Sequence, residues 1–126
     1  MFIVSALIEV GAGLALLVVP SVPLALLLGV SVAVPEALLV SRVTGGALLA
    51  IGVASWLARD DRQGPAQRGL LIGLLIYDGV AAALLGYAGL ATGMAGPLLW
   101  PAVLLHTALG VWCLVGLYVK PQGQRG

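Results

Sequence analysis

A chain of 126 residues that is 61% hydrophobic and 9% charged, with mean hydropathy +1.14, has too little polar surface to enclose a water-soluble core. A net charge of +1 leaves no basic footprint for nucleic acid, and a single cysteine excludes an internal disulfide and any Cys-x-x-Cys redox or zinc-ribbon motif. The composition predicts one integral-membrane domain over 1–126, all-α: a polytopic bundle of four transmembrane helices of about 20 residues each.

The first apolar segment, residues 2–19, lacks a basic leader region. It carries Glu9 in its middle and meets Pro20 instead of a small-residue cleavage site, so it is expected to be retained as the first span. Pro20, Pro23 and Pro35 bracket an apolar connection that is too short to span. A short interfacial helix around Pro23–Gly29, or a re-entrant segment, is expected there. Pro35 followed by Glu36 is a helix start, with proline at the first helical position and a carboxylate at the positive end of the dipole. The second span runs over 35–58.

The run ARDDRQGPAQR over 58–68 holds Arg59, Arg62 and Arg68 around Asp60 and Asp61, and makes 59–66 a cytoplasmic loop by the positive-inside rule. A third span over 67–90, a turn at 91–97 and a fourth span over 97–119 lead to the tail 120–126, with Lys120 and Arg125. Four spans place both termini and the loop on one side, together with five of the six Lys and Arg residues. The expected setting is a bacterial-type inner membrane with cytoplasmic termini. Trp56 and Tyr118 at the inner face, and Tyr87 and Trp100 at the outer face, suit interfacial anchoring.

Every span carries a polar residue. Counted from the outer ends of their helices, Arg42 lies roughly 10 Å deep, His106 roughly 14 Å, Glu9 roughly 16 Å and Asp78 roughly 20 Å. Each sits on a four-residue stripe of small residues: Ser5-Glu9-Gly13, Arg42-Gly46-Ala50, Asp78-Ala82-Gly86 and Ala102-His106-Gly110. Small stripes are the faces by which membrane helices approach closely, so all four polar residues are expected to point into the bundle as one cluster. Tyr77, Ser41, Thr44 and Thr107 stand beside them as supporting groups. Intramembrane ionisable residues mark ligand, ion or proton sites, and the competing reading is polar glue that fixes helix register. LIEVGAGLALL (7–17) and LIYDGVAAALL (75–85) align without a gap, which suggests a bundle of two hairpins.

No Walker loop, G-x-S-x-G elbow, HExxH or Cys/His cluster occurs, so neither a soluble-type catalytic centre nor a metal motif is read. His106 leaves room for one axial haem ligand per chain, a weak indication. Cys113 suits packing better than nucleophilic chemistry.

The segment R-x-x-G-G-x-L-L-A-x-G (Arg42–Gly52), the acid in the first helix and the proline-marked connection together resemble the DoxX-like group of small bacterial membrane proteins. The resemblance implies a four-helix bundle acting as an accessory subunit of a membrane redox or sulfur-metabolism complex, or binding a lipid-like molecule. Glu9 in the first of four spans also resembles the small multidrug exporters, which implies proton-coupled exchange; Arg42, Asp78 and His106 depart from that pattern.

Three readings follow. The first is a site for a small hydrophobic or amphipathic ligand such as a quinone or lipid, with Arg42 holding its anionic or carbonyl group. The second is a proton-coupled small-molecule or ion transporter working as an oligomer, and the third is a purely structural network. Gly69-x-x-x-Gly73 and Gly89-x-x-x-Gly93 suit a homo-oligomer or assembly into a larger membrane complex.

Overall fold

Proline placement and apolar run length dictate where the helices begin and end in the computed structural model, which describes residues 1–61 and 64–119. The tail with Lys120 and Arg125, and Arg62 in the loop, lie outside the described residues. Five helices follow in order, with no strand among the described residues: α1 (Phe2–Val18), α2 (Ser21–Leu28), α3 (Pro35–Leu57), α4 (Pro65–Ala91) and α5 (Leu99–Tyr118). α3 and α4 each open on proline, whose missing N–H costs nothing in the first turn. α3 closes through a 3-10 turn, Ala58–Asp60, where Arg59 donates to the Trp56 carbonyl at 2.8 Å and lies over the Trp56 ring.

α3 with its 3-10 turn, α4 and α5 are long and apolar enough to cross a membrane. α1, at 17 residues, is shorter, and α2 turns away from it by 114°, so α1 and α2 form a bent pair that makes at most one further crossing. Large apolar side chains lie exposed on every helix, up to 72% for Leu57 and 81% for Leu90, which water would not tolerate and acyl chains favour. The fold is that of an all-helical membrane protein.

The helices associate as two pairs, α1 on α3 and α4 on α5. In the first pair backbones nearly touch: a Cβ on Gly13 would sit 2.7 Å from the Gly45 carbonyl, and one on Gly45 would sit 2.7 Å from the Gly13 carbonyl. Gly52 faces Val10 and Ala6 in the same way. These glycines admit an approach that any side chain would block. The two pairs meet through side chains. Phe2 of α1, Leu71 and Leu74 of α4 and Cys113 of α5 form a buried cluster that closes the seam at the end where α1 and α4 begin.

The opposite end is closed differently. α2 ends at Gly29, whose φ of 72° gives a left-handed cap. There its backbone lies against Ala95 and Gly96, and the Leu98 N–H donates to the Leu26 carbonyl at 2.9 Å. Gly96 meets the Leu26 and Leu27 backbone so closely that only hydrogen fits. The apolar connection thus packs across the turn between α4 and α5 as a short helix, close to the expected Pro23–Gly29.

Candidate functional site

The buried positions of α1 include Ser5, Glu9 and Gly13, so the stripe that packs α1 also turns Glu9 inward. On α4 the buried face runs Leu71, Leu74, Asp78, and on α5 it includes Leu99, Leu109, Gly110 and Cys113, with His106 half-buried among them. Three helices therefore bring Glu9, Asp78 and His106 together, each offering a ligand atom within 4.8 Å of the others. Glu9 is 1% and Asp78 2% exposed.

His106 Nδ1 lies 2.8 Å from Asp78 Oδ1. Tyr77 presents its ring edge-on to the imidazole, with centroids 5.4 Å apart and planes at 87°. Its hydroxyl interacts with the Glu9 carboxylate, so it bridges the two sides of the site. At Gly110 α5 packs against Asp78, whose Cβ would lie in ordinary van der Waals contact, 3.6 Å, with an added Cβ. Tyr77 is the one expected supporting residue that joins the cluster.

The other sequence-predicted groups are elsewhere. Arg42 is exposed on α3 and makes no ion pair or hydrogen bond among the described residues. The expectation that it completes the cluster is corrected for two reasons. The packed face of α3 is Ser41, Gly45, Leu48, Gly52 and Ser55, one position round the helix from the Arg42-Gly46-Ala50 stripe. The contacts of Gly13 with Gly45 and Leu49, and of Gly52 with Ala6 and Val10, also set Glu9 level with Ile51 and Gly52, so Arg42 stands roughly 14 Å closer to the start of α3 than Glu9.

Ser41, Thr44 and Thr107 donate to the carbonyls of Ala37, Val40 and Val103 four residues earlier, at 2.8, 2.9 and 2.8 Å. Their hydroxyls are engaged within their own helices and do not reach the site. Sequence reasoning missed Ser55, fully buried, whose Oγ has no hydrogen-bond partner among the described residues. Its spacing from Ser41, Gly45 and Gly52 is the signal that would have placed it on the packed face.

Without Arg42 the cluster holds two carboxylates and one imidazole, and it is anionic whenever both carboxylates are ionised. Two carboxylates within 4.8 Å repel by about 3 to 4 kcal/mol at an effective dielectric of about 20. A charged His106 ring offsets only one of them, so in its fully ionised form the site has room for a cation to balance the other. Its donors also fit one: the absence of a sequence-local metal motif is overridden by a fold that gathers an imidazole and two carboxylates from α1, α4 and α5.

Comparison with protein-family models, with curated proteins and with solved structures gives no match.

Proposed function

We propose that the protein is a small membrane carrier for a cation, and that Glu9, Asp78 and His106 are the station where the cation is held. The observation that carries this reading is the convergence of donors without a cationic side chain: two buried carboxylates and an imidazole meet within 4.8 Å, while Arg42 is exposed, one position round α3 from its packed face. A site of that kind attracts cations, and it disfavours the quinone- or lipid-like ligand for which Arg42 was to supply the partner.

The division of the site supports transport over mere storage. Glu9 belongs to the α1–α3 pair, and Tyr77, Asp78 and His106 belong to the α4–α5 pair. Rocking of one pair against the other changes how many donors face the ion, the geometry by which carriers built from two repeats alternate access around a fixed site. In this reading the chain is a four-span bundle of a bacterial-type inner membrane, with both termini cytoplasmic. It self-associates through the α4 face of Gly69 and Gly73, which have open space where a side chain would stand. The DoxX-like resemblance of Arg42–Gly52 is compatible with such a bundle and adds no cation of its own.

The test is charge movement in proteoliposomes on a solid-supported membrane, following concentration jumps of protons, sodium, potassium, zinc and manganese in turn. We expect a current with at least one of these cations that disappears in Glu9→Gln. Silence of the inserted wild-type protein toward all five would overturn the carrier reading and favour a structural network.

A further inference from the structure

The geometry points to a divalent first-row transition metal, of the zinc type, as the cation held by Glu9, Asp78 and His106, an inference that names the ligand of the carrier site just described and rests on that reading. Three observations select this class. The donors are mixed, one imidazole nitrogen and two carboxylates, a set that suits zinc, manganese, iron, cobalt or nickel, whereas calcium and magnesium favour all-oxygen shells. A dication also neutralises both carboxylates at once, which a monovalent ion does not.

The third observation is dimensional. Zinc bonds to nitrogen and oxygen at about 2.0–2.2 Å place neighbouring ligand atoms of a tetrahedron about 3.3–3.5 Å apart. The 2.8 Å separation of His106 Nδ1 and Asp78 Oδ1 has to open by roughly half an ångström. Glu9, on the opposing helix pair, has to close from within 4.8 Å. Both adjustments are made by side-chain rotation or a small relative shift of the pairs. Three protein ligands leave a fourth position open, as in zinc sites that exchange or activate what they bind, while structural zinc sites are fully enclosed by four. Tyr77 acts here as a positioning residue: its ring edge fixes the imidazole plane and its hydroxyl holds Glu9.

Cobalt(II) is the probe, because its d–d absorption reports the donor set. The full chain in nanodiscs is titrated with cobalt chloride, and then with zinc chloride to displace it. The expected result is about one cobalt per chain, with visible bands stronger than those of hydrated cobalt and no thiolate charge-transfer band. Zinc should bleach the bands, His106→Gln and Asp78→Asn should each weaken binding about tenfold or more, and Cys113→Ser should leave the spectrum unchanged.

Hydrated-cobalt bands alone in the wild type would overturn the inference whether or not the variants fold. So would specific bands that persist in His106→Gln, or a thiolate band assigning the metal to Cys113. A proton- or sodium-driven current without cobalt binding would defeat the metal while leaving the carrier standing. Cobalt binding with silence in every ion jump would defeat the carrier reading alone.

Discussion

At the level of Arg42 a guanidinium on an exposed helix face keeps its hydration only by extending along α3 toward the headgroups, its aliphatic stem in the acyl region and its charge at the interface. Arg42→Leu therefore removes a cost smaller than the about 2.5–3.5 kcal/mol of an arginine at the helix centre and takes nothing from the site. The chain has one histidine, so 15N-histidine labelling reports His106 alone. We expect Arg42→Leu to leave the ring resonances in place and Asp78→Asn to shift them; the reverse pattern would return Arg42 to the cluster. Tyr77→Phe keeps the ring edge against His106 and loses the hydroxyl from Glu9. A stability loss of about 1 kcal/mol is expected in detergent unfolding, the usual worth of one hydrogen bond.

The site was half legible at this scale. Glu9 and Asp78 could be read because a carboxylate flanked by small residues at four-residue spacing has no favourable place facing lipid, and His106 followed from the same logic. Arg42 satisfied the same pattern yet faces outward, since a long flexible cation escapes to the interface where a short carboxylate has no such exit. The hydroxyls misled for another reason: Ser and Thr in a membrane helix satisfy themselves on the carbonyl one turn back, as Ser41, Thr44 and Thr107 do.

Among the helices, glycines divide into those that set an approach and those that do not. Gly13→Ala or Gly45→Ala drives a methyl group to 2.7 Å from a carbonyl of the partner helix, so α1 and α3 must separate. A destabilisation of about 1–3 kcal/mol is expected in the same unfolding assay. Gly73→Ala meets open space, so it should be neutral in the monomer; a loss confined to the oligomer in crosslinking would identify α4 as the self-association face. Gly45 and Gly52, which carry much of the DoxX-like pattern, are both packing residues against α1, so that pattern describes how two helices meet. At the end where α2 lies, Gly96→Val collides with the Leu26 and Leu27 backbone and should release α2. Hydrogen exchange of residues 21–28 should then rise sharply while that of α4 is unchanged.

For the molecule as a whole, helix existence and approximate ends were readable because prolines and apolar run length decide both: 35–58 became Pro35–Leu57, 67–90 became Pro65–Ala91 and 97–119 became Leu99–Tyr118. The first crossing is the element that length does not decide, because α1 has 17 residues and α2 leaves it at 114°. Side-specific cysteine labelling decides it. In a Cys113→Ser background, Asp60→Cys and Thr92→Cys should label from opposite sides, and a cysteine placed ahead of Phe2 should label with Asp60→Cys. Labelling together with Thr92→Cys would make α1 and α2 a re-entrant pair and the chain three-spanning.

The clamp of α2 across the α4–α5 turn also gives the molecule unequal ends. If α1 crosses with α3, α4 and α5, one end presents the cross-sections of four rods and the other adds a fifth lying sideways, and the protein then displaces more lipid area from one leaflet than from the other. A wedge of this kind couples to lateral pressure: strongly curved or asymmetrically loaded bilayers should shift the energy of any rocking that widens the narrow end. Membrane tension and lipid shape then act on the bundle through its outline, without touching Glu9, Asp78 or His106.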